Sequence, residues 1–228
     1  MEVIYEDNHL IVVNKAPGEI VQGDKTNDQP LSELVAVYLK EKYHKPGNVF
    51  VGVVHRLDRP VGGLVLFAKT SKALGRMNNL FREGKVRKRY LAIVANPPQP
   101  TQGRLVNWLK KNEKLNKSFV VDKGSEGSKR AELVYRTVAR SERYTLVEVE
   151  LLTGRHHQIR CQFSALGCPL KGDLKYGAPR PNRDASISLI SYRMDFEHPV
   201  SKQMISLVAP IPKDPLWQAF VPQLETFV

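Results

Sequence analysis

A single acid, Asp58, lies between two arginines, Arg56 and Arg59, in a short charged stretch of the chain. The runs on either side, residues 51–54 and 64–68, are apolar and rich in β-branched side chains, which is typical of buried strands. Opposite charges on both sides favour the ionised form of the carboxyl group. An ionised carboxylate on a loop anchored by two strands suits a nucleophile or an electrostatic stabiliser of a reaction. The alternative interpretation is a surface Arg–Asp–Arg cluster that only holds the loop in place.

A second stretch with the residue types for chemistry reads Thr-Gly-Arg-His-His-Gln-Ile-Arg and begins at Thr153. Strand-like sequence changes to helix-like sequence here. Either Thr153 or Gly154 can cap the helix, and Gly167 ends it. Arg155 and Arg160 then place positive charge near the start of a helix, which the helix dipole disfavours. That placement indicates a nearby anion, either external or buried in the protein.

Short strands and helices surround these two stretches. Strand-like runs lie at residues 3–6, 9–13, 91–95, 131–138, 144–152, 186–196 and 203–208. The spacing of apolar residues predicts a first helix with Asp28 as its cap and a second helix capped by Ser71. Residues 110–130 are rich in lysine and predict either a solvated hairpin with a flexible tip or a loop that contacts phosphates. The Pro-rich segment 96–103 is the best internal boundary.

The chain carries a large excess of positive charge. Its 228 residues include 35 Lys plus Arg and 23 Asp plus Glu, which gives a net charge of +12. This excess predicts a polyanionic partner, with nucleic acid as the first candidate and an anionic membrane surface as the second. No apolar run approaches the roughly 20 residues of a membrane-spanning helix, so we expect no membrane insertion.

Cysteine usage and the N-terminus point to the cytoplasm. The first residues are acidic and lack the basic start of a secretory signal. If Cys161 and Cys168 lie two turns apart on one helix, their Cα atoms are about 10 Å apart, too far for a disulfide. A zinc site of His157 and these cysteines would need a fourth ligand and lacks paired cysteine spacing, so we expect no metal. His156 and His157 then make polar contacts at the helix start.

Four motifs resemble those of a known enzyme family, and they occur along the chain in the family's order. His-Arg-Leu-Asp-Arg at residues 55–59 is similar to the active-site motif of RNA pseudouridine synthases of the large-subunit ribosomal RNA and tRNA type. Asn-Lys-Ala-Pro-Gly at 14–18 and Lys-Arg-Tyr-Leu-Ala at 88–92 resemble two further motifs of that family. The stretch that begins at Thr153, together with Gly-Cys-Pro-Leu-Lys-Gly-Asp at 167–173, closely follows another.

Three departures from the family's motifs are visible. Val61-Gly62-Gly63 stands where the family usually has Thr-Ser-Gly, Ala16 and Pro17 are exchanged relative to the family's Asn-Lys-Pro-x-Gly, and Gln162 replaces a histidine. The string from His55 to Arg59 is intact, which indicates a variation of the site and not its loss.

The resemblance implies an α+β fold. The family's catalytic fold has a mixed, mostly antiparallel central sheet flanked by helices and a central RNA-binding cleft. We therefore expect a single catalytic domain over residues 1–228, with room for two subdomains split near 96–103. We also expect a member without the N-terminal RNA-binding domain that some relatives carry.

The resemblance also implies a reaction, the isomerisation of a specific uridine in RNA to pseudouridine, with no cofactor. Asp58 falls on the family's catalytic aspartate, which attacks either ribose C1′ or base C6. Tyr90 falls on the tyrosine that packs on the target base, and Arg160 on the arginine that pairs with the aspartate. The residues expected to contact RNA are His55, Arg56, Arg59, Lys88, Arg89, Arg155 and Ile159. Arg56 resembles the arginine that fills the stack after the uridine is flipped out.

Two other classes of function stay open from the residues alone. A non-catalytic RNA-binding or RNA-folding protein would share the charge but would not need Asp58, Tyr90 and Arg160 together. An RNA N-glycosidase would need a second acid to activate water, and none stands near these motifs. Either ribosomal RNA or tRNA is compatible as partner, and we expect a monomer.

Overall fold

The computed structural model describes residues 1–23 and 28–225. In chain order the elements are β1 (Glu2–Glu6), β2 (Leu10–Lys15), α1 (Leu31–Lys42), β3 (Gly52–Val53), β4 (Gly62–Ala68), α2 (Ser71–Arg82), β5 (Arg87–Val94), β6 (Gln102–Asn112), β7 (Lys117–Val121), β8 (Lys129–Arg140), β9 (Thr145–Leu151), α3 (Gln158–Ala165), a 3-10 turn (Leu174–Tyr176), β10 (Leu189–Glu197), β11 (Met204–Val208), α4 (Pro215–Gln218) and α5 (Val221–Glu225).

The chain divides into two compact units. The first comprises Met1–Arg87 and Ser191–Pro210, and the second comprises Lys88–Ile190 and Ile211–Val228. The Pro-rich segment 96–103 lies inside the second unit, and the division falls within β5.

The first unit is built around β4, a strand in which every residue is buried. β4 pairs antiparallel with β2 and β3 and neighbours β10, while β1 extends the sheet from β2. Gly52 lies opposite Ala68, and Val53 lies opposite Phe67. The predicted strands on both sides of the charged stretch are therefore confirmed, and residues 54–61 form the loop between them. The strand-like runs 3–6 and 9–13 are confirmed as the antiparallel pair β1–β2, and the runs 186–196 and 203–208 as the pair β10–β11.

The first helix needs no side-chain cap. Its N-cap residue is Pro30, and the first two N–H groups of α1 donate to the carbonyl oxygens of Ile20 and Val21 at 2.8 and 3.2 Å. Because the backbone already satisfies these donors, the predicted cap Asp28 instead forms an ion pair with Arg59.

The second helix begins one residue earlier than its predicted cap implies. The hydroxyl of Thr70 accepts the backbone N–H of Ala73 at 3.1 Å, so Thr70 is the cap and Ser71 is the first helical residue. Ala73 and Met77 are buried on the core side of α2, with Leu64, Leu66 and other residues of β4 in the same hydrophobic cluster.

The second unit contains an antiparallel sheet in the order β5-β9-β8-β6-β7. The predicted neighbours 131–138 and 144–152 are confirmed as β8 and β9. The lysine-rich residues 110–130 do not form one solvated hairpin, because they contribute the end of β6, all of β7 and the start of β8. Ser118 of this segment and the adjacent Leu109 are buried on one face, whereas Lys110 projects to the other face and Lys114 and Lys123 lie in the turns.

Helix α3 covers one face of this second sheet. The ring of Phe163 meets the ring of Tyr135 on β8 edge to face, with centroids 5.7 Å apart. The Gln162 side-chain amide donates to Asn107 Oδ1 on β6 at 2.7 Å. Gly167, with φ of 77°, follows the helix and ends it as predicted, because this left-handed conformation suits glycine.

The fold belongs to the α+β class, with mostly antiparallel strands flanked by a few helices. Among the described residues, none of the helices is both long and apolar enough to cross a membrane.

Candidate active site

A buried lysine supports the loop that carries Asp58. Lys15, at the end of β2, is 1% exposed, and its Nζ donates to the carbonyl oxygens of Ala16, Arg59 and Val61 at 3.0, 3.1 and 2.7 Å. Burial lowers the pKa of Lys15 to about 8, while the negative charges of Glu19 and Asp58 oppose that shift. A cation therefore lies beneath the loop, within electrostatic reach of Asp58.

Backbone hydrogen bonds fix the turn around Asp58. The carbonyl oxygen of Asp58 accepts the N–H of Val61 at 3.0 Å, and that of Arg59 accepts the N–H of Gly18 at 2.8 Å. The Arg59 side chain donates to Gly18 O at 3.1 Å and pairs with Asp28. Arg59 therefore holds the loop, as the alternative interpretation of the charged stretch proposed.

The other predicted RNA-contacting residues of this loop differ in exposure. Asp58 is half-buried, and Arg56 is exposed. His55 is half-buried, because its Nε2 accepts the backbone N–H of Leu66 at 3.1 Å and its ring stacks on Phe81 with centroids 5.2 Å apart. These contacts give His55 a structural part in anchoring the loop to β4.

Of the two glycines after Asp58, Gly63 is required by close packing, and Gly62 is tightly packed. Gly63 has φ of 104°, and a Cβ there would overlap the backbone of Ser191. A Cβ on Gly62 would lie 3.2 Å from Lys15 O and 3.3 Å from Pro17 Cδ. Two of the chain's departures from the family's motifs, at Gly62 and at Pro17, are therefore neighbours in space.

In the second unit, strand register places Tyr90 on the face that α3 covers. Tyr90 lies opposite Val149, and Val149 lies opposite Tyr135, whose ring contacts α3. Directly paired residues of antiparallel strands project to the same face. Tyr90 is 6% exposed, and Lys88, two residues earlier, projects to this same face.

Arg89 projects to the opposite face of the sheet. It shares a row with Glu150, Val134 and Arg104. The basic run that precedes Tyr90 therefore does not form one surface, because neighbouring strand residues alternate between faces. Lys88 is buried enough that desolvation lowers its pKa.

The Thr-Gly-Arg turn is fastened by one glutamine. The Oε1 atom of Gln158 accepts the Thr153 hydroxyl at 2.8 Å and the N–H of Arg155 at 2.9 Å, and its Nε2 donates to Glu132 O at 3.0 Å. Neither Thr153 nor Gly154 caps α3. The N-cap is His157, which is left-handed with φ of 52°, because a turn separates the motif's first residues from the helix.

The predicted anion near the helix start is Asp173. The Arg160 guanidinium donates from Nε to Asp173 Oδ2 at 2.7 Å and from Nη2 to Oδ1 at 2.9 Å. The two side chains are 6% and 1% exposed, and Arg160 also lies over the Tyr176 ring, 5.1 Å from its centroid. This bidentate, buried pair fixes the orientation of the guanidinium.

The two histidines make polar contacts at the helix start, as predicted. The Tyr176 hydroxyl accepts the N–H of Ser118 at 2.8 Å and lies within hydrogen-bond distance of His157 Nδ1, at 3.0 Å. Burial, followed by the nearby charge of Arg160, lowers the pKa of His157 to about 2. Burial also raises the pKa of Tyr176. His156 stacks on His157 and bonds to Ser118.

The structure thus groups the predicted residues by unit. His55, Arg56, Asp58 and Arg59 lie on one loop of the first unit. The second unit carries Lys88, Arg89, Tyr90, Arg155, Ile159 and Arg160, of which Ile159 is 4% exposed. Among residues 1–23 and 28–225, no group of three or more His, Cys, Asp or Glu side chains could hold a metal ion. Both cysteines are buried and free.

Two supporting residues were missed from the sequence. From the sequence, Lys15 and Asp173 belong only to motif strings, yet each holds a site residue or its loop in place. Nothing local marks them: Lys15 reaches Val61 O across 46 positions, and Asp173 reaches Arg160 across 13.

The model of the family described as RNA pseudouridylate synthase matches residues 9–165. The chain belongs to the RNA pseudouridine synthase family. It is an isomerase that modifies RNA by converting uridine to pseudouridine. The predicted family is therefore confirmed, and with it the enzyme class.

Relatives and solved structures agree with this membership. The chain is 30% identical over 224 residues to ribosomal large subunit pseudouridine synthase D of Zymomonas mobilis. The aligned region covers 94% of the chain and 70% of that protein. It is 31% identical over 217 residues to the uncharacterized RNA pseudouridine synthase YjbO of Bacillus subtilis, covering 94% of the chain and 74% of that protein.

The solved structure of human RNA pseudouridylate synthase domain containing 4 superposes with a TM-score of 0.81 at 22% identity, over 98% of this chain and 93% of that one. Human RNA pseudouridylate synthase domain containing 1 has a TM-score of 0.72 at 23% identity, over 99% and 93%. At these identities the two structures support the fold, and they confirm the predicted α+β class.

Proposed function

We propose that this synthase isomerises one specific uridine in structured ribosomal RNA or tRNA, with Asp58 as the nucleophile. The observation that carries the proposal is the support of the Asp58 loop. Asp58 is a half-buried carboxylate on a turn that connects the paired strands β3 and β4. Lys15 and backbone hydrogen bonds hold this turn in place. A nucleophile needs such a fixed position more than a surface ion cluster does.

The reaction rearranges bonds within one nucleotide. The N1–C1′ glycosidic bond breaks, the uracil turns, and a C5–C1′ bond forms, while C5 loses a proton and N1 gains one. Asp58 attacks either C1′ of the ribose or C6 of the base and leaves again, so no atom is gained or lost overall. The chemistry requires no cofactor, metal or energy source.

Tyr90 and Arg160 support the reaction from the second unit. In this proposal the Tyr90 ring stacks on the uracil and helps to remove the C5 proton, and Ile159 lines the pocket beside it. Arg160 pairs with Asp58 and keeps it ionised and aimed. The bidentate contact with Asp173 uses two of the five N–H groups of Arg160 and supports this role by holding the guanidinium in one orientation.

RNA binding requires the target uridine to leave its stack. Flipping costs a few kcal/mol, and a planar cation that fills the gap offsets part of that cost. The exposed Arg56, two residues before Asp58, is suited to this task. We propose that Lys88, Arg89 and Arg155 contact the RNA backbone, and that His55 and Arg59 act mainly by holding the Asp58 loop.

The substrate and cellular setting are proposed from a relative's name and from the cysteines. The relative from Zymomonas mobilis is named for the large ribosomal subunit, so large-subunit ribosomal RNA is the first RNA to test. The two free, buried cysteines support a reducing cytoplasm. We propose that the protein works as a monomer.

Pseudouridine mapping tests the proposal. Total RNA from cells with and without this gene is labelled with carbodiimide and read by primer extension or sequencing. A single site should disappear on deletion and return with the wild-type gene and with Asp122→Ala, which removes an exposed acid from the β7–β8 connection. Asp58→Ala should fold and bind RNA but fail to restore the site. Restoration by Asp58→Ala would refute the nucleophile, and a purified wild-type protein inert on RNA from the deletion strain would favour the non-catalytic RNA-binding alternative.

A further inference from the structure

Two arginines of the second unit pair with one buried carboxylate, and a third arginine contacts the backbone beside them. Glu132 on β8 pairs with Arg104 on β6 through its Oε1 and with Arg130 on β8 through its Oε2. Arg155, in the turn before α3, donates its Nε to the backbone carbonyl of Arg130 at 2.8 Å. We refer to Arg104, Arg130, Arg155 and Glu132 as the arginine cluster.

Strand register explains why these side chains meet. Val106 lies opposite Glu132, so Arg104, two residues before Val106, sits diagonally across from Glu132 on the same face. Arg130 precedes Glu132 by two residues on one strand and projects to that face too. This is the face opposite α3, because Leu133 and Tyr135 point toward the helix side.

Within the cluster, the glutamate is buried and the arginines that pair with it are exposed. The Glu132 side chain is 5% exposed, whereas those of Arg104 and Arg130 are 61% and 48% exposed. The carboxylate is thus covered by the two guanidiniums that it holds, so two positive charges face one negative charge. Arg104, Arg130 and Arg155 each have guanidinium N–H groups that do not take part in these bonds. Within residues 1–23 and 28–225, these remaining N–H groups have no protein acceptor.

The backbone of Glu132 ties the cluster to the start of α3. Its carbonyl oxygen accepts the N–H groups of Leu152 and Thr153, both at 3.1 Å, and the side-chain amide of Gln158 at 3.0 Å. Its own N–H donates to the Thr153 hydroxyl at 2.8 Å. The position of the guanidiniums is therefore coupled to the turn that leads to Ile159 and Arg160.

We propose that the arginine cluster binds a phosphate group of the substrate RNA and sets where the strand crosses the second unit. Guanidinium groups recognise phosphate oxygens through paired N–H donors, and a buried anchor lowers the entropy lost when long side chains are fixed. Glu132 acts as a positioning residue that does not touch the RNA. This inference rests on the proposed RNA-modifying function and adds a binding surface to it.

The test measures RNA binding without turnover. A fluorescein-labelled RNA stem-loop with uridines in its loop is titrated with the full chain carrying Asp58→Ala, and fluorescence anisotropy is recorded at several salt concentrations. Adding Arg104→Gln or Arg130→Gln should weaken binding about five- to tenfold at low salt and reduce the slope of log K against log salt by about 0.7 to 0.9. Arg136→Gln is the matched control, because Arg136 lies on the same strand and pairs with another carboxylate, Glu148; its slope should stay within about 0.3 of the parent.

If Glu132 positions the arginines, replacing it should change the RNA affinity in the direction opposite to that expected from net charge alone. Glu132→Gln removes a negative charge, so a diffuse basic patch would bind RNA more tightly after the change. If Glu132 positions the arginines, binding should instead weaken about threefold or more. Thermal unfolding establishes whether the Glu132→Gln variant is folded. If this variant does not fold, Arg104→Gln and Arg130→Gln decide the proposal.

The outcomes separate this inference from the proposed function. Unchanged salt slopes for Arg104→Gln and Arg130→Gln would refute the phosphate site, whatever the mapping of pseudouridine shows. Unchanged RNA binding combined with lost binding to polyglutamate would assign the cluster to an acidic protein partner instead. Isomerisation by Asp58→Ala would refute the nucleophile without altering the binding slopes.

Discussion

The Asp58 loop and the start of α3 are held in place by different kinds of contact. The loop is fixed through main-chain carbonyls, and those of Arg59 and Val61 accept from the buried amine of Lys15. The helix start is fixed through buried side chains, with Gln158 fastening the turn and Asp173 holding Arg160. The side chains of His55 and Arg59 add contacts to this main-chain framework. Contacts between side chains make each partner in the helix start indispensable.

The largest effect is expected from the side-chain network. Asp173→Asn would keep the size of the residue but remove the negative charge from the buried bidentate pair with Arg160. Removing one partner of a buried pair costs about 3–5 kcal/mol, so the free energy of unfolding in urea should fall by about that amount. Asp195→Asn is the control, because Asp195 pairs with a partly exposed arginine, Arg193, 28% exposed. There the loss should be about 1 kcal/mol or less.

A small loss for Asp173→Asn would show that the helix start is as tolerant as the loop, and the contrast between the two regions would fail. The isomerisation rate of the folded fraction sharpens the comparison. It should fall as well, because an Arg160 released from Asp173 no longer has a fixed orientation.

The lysine beneath the Asp58 loop should affect activity more specifically than stability. Lys15→Met removes the donor shared by Ala16, Arg59 and Val61, and leaving buried acceptors unsatisfied costs about 1–3 kcal/mol. The catalytic rate of the folded protein should drop at least tenfold, because the Asp58 turn loses its support. Rates are measured on RNA from the deletion strain, with urea unfolding in parallel.

A second buried lysine in the same unit provides the matched control. Lys69, 8% exposed, donates to Glu6 Oε1 at 2.7 Å and to Asp7 O at 2.6 Å. Lys69→Met should lose comparable stability but retain the rate of the folded enzyme. Equal rates for the two variants would mean that Lys15 only stabilises the fold.

Acid should weaken the helix start through His157. The folded pKa of about 2 lies below the ordinary value of 6.5, so the unfolded chain binds a proton first as the pH falls. Stability contributed by neutral His157 is therefore present above pH 6.5 and is lost below it, by about 1.4 kcal/mol per pH unit. His157→Asn, in which asparagine tolerates the left-handed backbone, should remove this slope between about pH 6 and 4.5.

The neighbouring histidine supplies the control for this pH dependence. His156→Asn makes the same change in the same stacked pair but leaves His157 in place, so the acid slope should persist. If both variants show the wild-type slope, the acid sensitivity arises elsewhere, and the helix start does not depend on a neutral His157.

The sequence predicted the parts of the fold that depend on local patterns. Alternating and β-branched runs located β8 and β9, and the glycine at position 167 located the end of α3. The pattern failed for residues 110–130, because a strand that buries only one face can carry lysines on the other. It also misplaced the start of α3, since the left-handed backbone of His157 interrupts the helix without any signal in apolar spacing.

The candidate site was predicted in its motif residues but not in their supports. The resemblance pointed to Asp58, Tyr90 and Arg160 because motif strings are contiguous in sequence. Lys15 and Asp173 act across tertiary contacts, and both are charged residues whose types alone predict exposure. Their burial follows from partners that the chain supplies only once it is folded.

The smallest expected effect concerns the departure at Gly62, where the family usually has serine. A serine Cβ would press on Lys15 O and on the Pro17 ring, at 3.2 and 3.3 Å. Gly62→Ser should therefore lower the free energy of unfolding by about 1 kcal/mol, the lower end of the cost of overpacking. Pro17→Ala removes the ring atoms in contact, so the same serine should cost less in that background.

A double-mutant cycle measures whether the two departures compensate each other. Unfolding free energies of the wild type, Gly62→Ser, Pro17→Ala and the double variant should give a coupling energy of about 0.5 to 1 kcal/mol. A coupling near zero would mean that Lys15 O alone resists the serine. A positive coupling would show that the loop tolerates change in its motif residues when its main-chain surroundings change with them, whereas the side-chain network around Arg160 has no such freedom.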